Sequence, residues 1–228
     1  IDLILNSILK KIKDLHSVKF EADKKYFSND KLTKRDLNNY LDIKFLRDTD
    51  KLLNNAIFIN NNKNIFDIKK SLNNLSKEWE DSNKNIVFTH GDLSLSNIIV
   101  SLNPNKTCSV NFIDPNPSNL YLFPSPITDI SKLLQSTYIM WELAIRTNDY
   151  LKYGIQNTNG IFRLPRPYYF NYAEKKIREF ALNLGYSKTI QDLHLLIHLK
   201  RILPYISKSK ILNQYITGYI YYILFEKY

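Results

Sequence analysis

The segment FTHGDLSLSNIIVS at 88–101 places Asp92 and Asn97 between two apolar runs. A second carboxylate, Asp114, follows the apolar run CSVNFI at 108–113. Carboxylate and amide oxygens are ligands that Mg²⁺ prefers, and a carboxylate can also orient a hydroxyl and take its proton. If these side chains converge, they suit phosphoryl transfer, with Asp92 acting on an acceptor hydroxyl and Asn97 and Asp114 holding Mg²⁺.

Three short runs of β-branched and aromatic residues near these side chains do not follow a helical period. They are IVF at 86–88, IIV at 98–100 and CSVNFI at 108–113. Such runs predict strands, and the turn-forming residues at 103–105 predict that 98–113 is a β-hairpin. The candidate loop then joins a strand to this hairpin, and Asp114 ends the hairpin's second strand. The expected strand-loop-hairpin unit spans 86–114.

The rest of the chain is predicted to be helical, because apolar residues recur at three- and four-residue spacing. The predicted helices cover 3–17, 35–53, 65–80, 127–146, 171–184, 189–203 and 209–226. Thr33 and Asp36 have the spacing of a capping box, whereas the Asn-rich segment 54–64 is predicted to be an exposed loop. The expected fold class is α+β and mainly α-helical, with helices over 1–85 and 127–228 on either side of the 86–114 unit.

The loop spacing His-x-Asp-Leu-x-x-x-Asn is that of a kinase catalytic loop. With Gly91 at its second position, it resembles the HGDxxxxN loop of the aminoglycoside phosphotransferase and choline kinase family. In that family the loop is followed by a strand ending in Asp, here FID at Asp114, and by an Asp opening a helix, here Asp129 in PITDISKL. The segment DLHSV at 14–18 is similar to the Leu-His end of the helix that begins the family's larger lobe. The resemblance covers about residue 5 to at least 146 and implies a protein-kinase-like C-terminal lobe.

The resemblance implies a role for each motif residue. The catalytic residue would be Asp92, the metal ligands Asn97 and Asp114, and the structural supports of the loop His90 and Asp129. Asp129 would bond the loop backbone, and Ser94 is a candidate contact for phosphate or substrate. Taken alone, Asp92, Asn97 and Asp114 could each be an ordinary turn residue, and it is their joint spacing that favours the functional interpretation.

The same resemblance implies ATP as phosphate donor, Mg²⁺ as cofactor and a small molecule with a hydroxyl group as acceptor, such as a sugar, an amino alcohol or an aminoglycoside-like compound. Ser94 stands where protein kinases have a Lys, which argues against a protein substrate. The many Lys and Arg residues of 171–226 favour a neutral or partly anionic acceptor over a polycation.

The nucleotide-binding features of such kinases are missing from this sequence. The chain has five glycines, no G-x-G-x-x-G motif and no strand Lys before the catalytic loop. We therefore expect the N-terminal β lobe to belong to a part of the same polypeptide that precedes Ile1. The alternative is a catalytically inactive kinase-like binding module that uses this lobe as an interaction surface.

Composition argues against several other classes of protein. With 228 residues, 44% of them hydrophobic, the chain can form a packed core, so disorder is not expected. The single cysteine, Cys108, excludes an internal disulfide and favours a reducing cytoplasm. The apolar stretch at 215–225 is too short to cross a bilayer. No basic run interleaved with aromatic residues is present, so no membrane partner is expected.

Two further features have a functional and a plain interpretation. The net charge of +10 is compatible with a nucleic-acid-binding helical domain, but the lysines are dispersed along the chain, so no nucleic-acid partner is expected. His194 and His198 are four residues apart on a predicted helix, yet the sequence offers no third metal ligand beside them. They are predicted to be a packed or surface pair.

Overall fold

The structure is a computed structural model. It describes residues 1–18, 27, 30–140, 142, 156–158, 161–163, 166–206 and 210–228. Helices dominate this part of the chain, and its strands form two separate two-stranded antiparallel sheets. The predicted fold class, α+β and mainly α-helical, is confirmed.

The elements follow one another in this order. The first half contains α1 (Asp2–His16), α2 (Lys34–Leu41), a π-helical turn (Asp42–Leu46), α3 (Asp50–Leu53), α4 (Ala56–Asn60), α5 (Ile65–Leu75) and a 3₁₀ turn (Ser76–Asp81). The middle contains a 3₁₀ turn (Leu95–Asn97), β1 (Ile98–Leu102), β2 (Cys108–Phe112), α6 (Ser118–Leu122) and α7 (Pro126–Tyr138). The last part contains β3 (Gln156–Thr158), β4 (Ile161–Arg163), α8 (Tyr168–Asn183), α9 (Lys188–Ile202), a 3₁₀ turn (Leu203–Ile206) and α10 (Lys210–Phe225).

The predicted hairpin is confirmed. Strands β1 and β2 pair from Ile98 opposite Phe112 to Leu102 opposite Cys108. The turn is closed by the N–H of Asn103, which donates to the carbonyl of Thr107 at 2.9 Å. Cys108, the chain's single cysteine, is partly buried at the start of β2.

The predicted strand at 86–88 is wrong. The N–H of Val87 donates to the carbonyl of Pro124 at 3.0 Å, and the neighbouring Asn85 forms one isolated bridge with Lys31. A strand needs a ladder of successive pairs, whereas the bridge at Asn85 is isolated and residues 86–88 belong to no strand. The candidate loop is therefore preceded by an extended segment instead of a strand.

The single helix predicted over 35–53 is also wrong. Helix α2 begins with the predicted capping box, in which Asp36 and Thr33 bond each other's backbone N–H groups. It widens into the π-helical turn and stops at Leu46. Arg47 is extended, and Asp48 has a left-handed φ of 58°, so the helical path is broken before α3 begins.

The segment 54–64, which was predicted to be a loop because it is rich in asparagine, contains helix α4. Asn55 caps the helix by accepting the N–H of Ile57 at 3.1 Å. Phe58 is fully buried, with its ring edge-on to Tyr221 at 5.5 Å and to Phe225 at 6.1 Å. One buried aromatic residue therefore anchors a segment whose many asparagines resemble a loop.

The other predicted helices agree with the structure within a few residues. The predictions 3–17, 65–80, 171–184, 189–203 and 209–226 correspond to α1, α5 with its 3₁₀ turn, α8, α9 and α10. Helix α7 covers the first part of the prediction 127–146, of which 141 and 143–146 lie outside the described residues. Helix α6 and the β3–β4 sheet were not predicted.

One continuous hydrophobic core runs from Ile8 on α1 to Leu224 on α10. Helix α9 is buried almost throughout, and it packs against α7, which packs in turn against α8. His194 and His198 on α9 are 0% and 2% exposed, so they form a packed pair. Within the described ranges, no helix has the length and apolar character needed to cross a bilayer.

Candidate active site

The carboxylate of Asp129, in the first turn of α7, holds the start of the candidate loop. Its Oδ2 accepts the N–H of His90 at 2.9 Å, and its Oδ1 accepts the N–H of Gly91 at 2.8 Å. Gly91 has φ of 80°, a left-handed conformation that glycine adopts without a steric penalty. Asp129 is fully buried, so these two bonds are shielded from water. The contact predicted between Asp129 and the loop backbone is present.

The same carboxylate also contacts the end of α1. Nε2 of His16 lies 3.1 Å from Oδ2 of Asp129, and the His16 side chain is 7% exposed. The buried Asp129 thus joins two segments that are far apart in the sequence, the end of the first helix and the candidate loop. The Leu-His pattern at 14–18 identified this helix end but not its contact with Asp129.

The ring of His90 is enclosed by protein groups. Nε2 lies 2.8 Å from the carbonyl oxygen of Ile113 and therefore donates to it, while Nδ1 accepts the N–H of Asp92 at 3.4 Å. The ring packs edge-on against Phe112, and the residue is 3% exposed. Both ring nitrogens therefore have protein partners, an arrangement compatible with the predicted supporting role of His90.

Asn97 closes the loop onto the backbone of Asp92. Its Nδ2 donates to the carbonyl of Asp92 at 2.8 Å, which leaves the side-chain oxygen of Asn97 available as a ligand. The carboxylate of Asp92 is 42% exposed, whereas most of the loop around it is buried. The loop is therefore held by its backbone and presents Asp92 to solvent.

Asp114 lies beside this loop, because residues on both sides of Asp114 are hydrogen-bonded to the loop backbone. The N–H of Ile113 donates to the carbonyl of Asn97 at 3.0 Å, and the N–H of Asn116 donates to the carbonyl of His90 at 2.8 Å. Asp114 is exposed and has a left-handed φ of 53°. A non-glycine residue in this conformation costs energy and is often found at functional sites.

Sequence reasoning missed Lys132, one turn after Asp129 on α7. Its Nζ lies 3.0 Å from Oδ1 of Asp92, and its side chain is 14% exposed. Because the lysine side chain is largely enclosed, this ion pair restricts the orientation of the Asp92 carboxylate more than a surface pair would.

The polar residues of α7 that meet the loop follow a helical spacing. Asp129 contacts the first loop residues, Lys132 contacts Asp92, and the hydroxyl of Ser136 accepts the N–H of Leu95 at 3.1 Å. Positions i, i+3 and i+7 lie on one face of a helix. A polar stripe on a mostly buried helix was the sequence signal that could have identified Lys132 and Ser136.

No protein-family profile, curated protein or solved structure matches this chain. The resemblance to small-molecule kinases therefore rests on the HGDLSLSN motif, the two aspartates that follow it and the contacts described above.

Ser94 faces the protein interior. It is 4% exposed, and its hydroxyl lies 2.8 Å from the hydroxyl of Ser96, which is itself exposed. The contact with phosphate or substrate stays a prediction, and it would require the Ser94 hydroxyl to exchange this partner for the ligand.

The residues proposed for Mg²⁺ supply some, but not all, of the oxygen ligands that the ion needs. Asn97 offers an amide oxygen and Asp114 an exposed carboxylate. Mg²⁺ commonly binds one or two protein oxygens and completes its octahedron with waters and substrate phosphates. Among the described residues, no group of three or more His, Cys, Asp or Glu side chains is arranged for a metal. Binding here would therefore depend on nucleotide phosphates.

Proposed function

We propose that this chain is the larger, C-terminal lobe of an ATP- and Mg²⁺-dependent phosphotransferase that phosphorylates a hydroxyl group of a small molecule. One observation carries the proposal: the buried carboxylate of Asp129 fixes the backbone of His90 and Gly91, while Asp92 remains 42% exposed. Phosphoryl transfer depends mainly on positioning and electrostatic stabilisation. A loop held by buried hydrogen bonds provides the positioning, and bound Mg²⁺ would provide the electrostatic stabilisation.

Each side chain then has a defined task. Asp92 orients the acceptor hydroxyl and takes its proton as the acceptor oxygen bonds to the γ-phosphorus and the bond from that phosphorus to ADP breaks. Lys132 fixes the orientation of the Asp92 carboxylate. Asn97 and Asp114 hold Mg²⁺, which when bound neutralises charge on the transferring phosphates. His90 keeps the loop and the Asp114 segment together.

The proposed acceptor is a neutral or partly anionic small molecule, such as a sugar or an amino alcohol. The basic character of 171–226 supports this choice over an aminoglycoside-like polycation. The glycine-bearing loop and strand Lys that clamp ATP in such kinases are not in this sequence, so we propose that an N-terminal lobe of the same polypeptide supplies them.

The test is Asp92→Asn in the full-length protein. We expect kcat for Mg²⁺-dependent ADP release to fall about 10²- to 10⁴-fold, because the general base is lost, while the protein stays folded. ADP release is measured over a panel of sugars, amino alcohols and aminoglycosides. Asp81→Asn, at an exposed carboxylate outside the site, serves as the matched control. Near wild-type turnover by Asp92→Asn would show that Asp92 is not the base.

A catalytically inactive binding module is the second candidate, and the contact between Lys132 and Asp92 favours it. An ion pair at 3.0 Å could be a permanent structural link instead of a poised base. Mg²⁺-dependent ADP production by the full-length protein, abolished in Asp92→Asn, would exclude this candidate. Absence of both nucleotide binding and turnover would support it.

A further inference from the structure

A second candidate site lies away from the loop, in a cavity of about 500 Å³ between the π-helical turn, α3, the end of α9 and α10. Its walls carry five cationic side chains and a single carboxylate: Lys44, Arg47, Lys51, Lys200, Arg201 and Asp48. None of these residues belongs to the Asp92 loop or to the α7 stripe that holds it. The cavity is thus strongly basic and independent of the residues proposed for phosphoryl transfer.

The positive charges in this cavity are only partly compensated: Asp48 is the single carboxylate in its wall, and Lys200 donates to the carbonyl of Arg47. Across the part of the chain that the structure describes, none of the five cations forms an ion pair within 4.0 Å. Burial lowers the pKa of Lys44, and repulsion by Arg201 lowers it further. Burial also lowers the pKa of Lys200, although Asp48 acts in the opposite direction. Lys44 is therefore repelled by Arg201, and Lys200 by Lys51 and Arg47, and an anion bound between these side chains would relieve the repulsion.

The backbone at the rim of the cavity is unusual as well. Lys44 lies in the π-helical turn 42–46, Arg47 follows it in an extended conformation, and Asp48 has a left-handed φ of 58°. Single π-helical turns and left-handed non-glycine residues are less stable than regular helix and are frequent at functional sites. Here the two irregularities occur in the segment that brings cationic side chains to the cavity.

We propose that this cavity binds a small organic molecule that carries two or more phosphate groups. Guanidinium groups bind phosphate through two parallel hydrogen bonds, and lysines add point charges. The volume lies within the usual range for small-molecule sites, and Ile43, Leu203 and Pro204 provide apolar surface for the organic part. The convergence of the cations into a cavity favours a compact polyanion over an extended nucleic acid. The proposal does not rest on the phosphotransferase activity.

The experiment measures binding of inorganic pyrophosphate to the full-length protein by calorimetry and by thermal unfolding. The solutions contain EDTA and no Mg²⁺, at constant ionic strength, so that the Asn97–Asp114 site does not contribute. The test variant is Lys44→Gln with Arg201→Gln. The control is Lys69→Gln with Lys70→Gln, which removes the same charge from two exposed lysines of α5. Orthophosphate and a 20-nucleotide RNA are titrated in parallel.

We expect pyrophosphate to bind the wild type and the control equally, to bind more tightly than orthophosphate, and to raise their melting temperature by several degrees at saturation. In the test variant, pyrophosphate should bind at least about tenfold more weakly. Without ligand, the test variant should be as stable as the wild type or more stable, because two mutually repelling charges are gone. That combination distinguishes a binding site from a structural cluster.

Three results would overturn the proposal. The first is an equal affinity for pyrophosphate in the wild type and in the test variant. The second is an affinity for orthophosphate as high as that for pyrophosphate. The third is tighter binding of the RNA with a steep salt dependence shared by the Lys69 and Lys70 control, which would indicate a general basic surface. If the double variant does not fold, Arg47→Gln alone, at an exposed arginine, is measured in its place.

Discussion

The ion pair between Asp92 and Lys132 is the contact of the candidate site that bears most directly on the proposed reaction. The carboxylate is 42% exposed and the lysine side chain only 14%, so the cation approaches from the protein side and leaves part of the carboxylate open. A phosphoryl group arriving at Asp92 would come close to a fixed positive charge. Lys132 therefore has a positioning role towards Asp92 in the proposed reaction.

We expect Lys132→Met to lower kcat about 10- to 100-fold, the effect of losing one charge-assisted hydrogen bond, with little change in the KM for ATP. Lys132→Arg should recover part of the activity because it keeps the cation. ADP release by the full-length protein measures both, with Lys175→Met at an exposed lysine of α8 as the control. An equal loss in Lys132→Met and Lys132→Arg would contradict a role of the charge.

At this scale the sequence predicts the motif residues but not the contacts that need three-dimensional neighbours. The spacing from His90 to Asn97 and the aspartate of PITDISKL were visible as a pattern, and the structure brings them together. Lys132 and His16 could not be assigned partners, because their contacts depend on how α7 and α1 approach the loop. A lysine on a helix is usually a solvated residue, and the polar stripe on α7 could have marked Lys132 as facing other residues without indicating Asp92 as its partner.

Helix α9 shows how an element can be buried on every side. His194 lies among aromatic rings, 5.4 Å from Phe123 and 5.9 Å from Tyr40, and within the described residues neither of its ring nitrogens has a hydrogen-bond partner. Burial lowers the pKa of His194 to about 3. Burial, with Lys132 and Arg201 nearby, also lowers the pKa of His198. Both histidines are thus held neutral in the folded protein.

This burial predicts acid sensitivity. In the unfolded chain a histidine takes up a proton below about pH 6.5, whereas folded His194 stays neutral until about pH 3. The stabilisation by neutral His194 is therefore complete above pH 6.5 and is lost as the pH falls from there towards 3, at about 1.4 kcal/mol per pH unit. We expect His194→Phe to reduce the pH dependence of the free energy of unfolding by that amount. Urea unfolding at pH 7.5, 6.5 and 5.5 measures it, and equal slopes for the two proteins would refute the assignment.

Long amphipathic helices and the hairpin could be predicted from periodicity and turn residues, but short elements could not. Helix α4 is defined by the burial of Phe58 against α10, a contact between distant parts of the chain. The apolar run at 86–88 has strand-like residues, yet a strand forms only where a neighbour continues the ladder. The break after α2 depends on the backbone of Arg47 and Asp48, neither of which is a helix breaker by type.

At the scale of the whole molecule, a buried carboxylate on α9 holds residues 227 and 228 to the core. Asp192 on α9 is 0% exposed; its Oδ1 lies 3.1 Å from Nη2 of Arg178, and its Oδ2 accepts hydrogen bonds from Lys227 and Tyr228. Attraction by Asp192 and Glu174 raises the pKa of Arg178 against the effect of its burial. The sequence could not predict this network, because it joins α8, α9 and the last two residues.

We expect Asp192→Asn to lower the free energy of unfolding by about 3 kcal/mol, because it leaves buried Arg178 with less compensating charge. Chemical unfolding at neutral pH measures the change. Glu226→Gln, at the neighbouring exposed carboxylate of the C-terminus, is the control and should have little effect. A loss below about 1 kcal/mol would show that Glu174 alone suffices for Arg178.

The single cysteine of the chain has a practical consequence. Cys108 is partly buried on β2, the strand that leads to Asp114, and residues 1–228 contain no other thiol. A maleimide fluorophore or spin label would therefore attach at one position within residues 1–228. Its signal would report on the hairpin while Mg²⁺ is titrated, so residues 1–228 carry, without any substitution, an attachment point for a spectroscopic probe on the strand that leads to the proposed metal ligand Asp114.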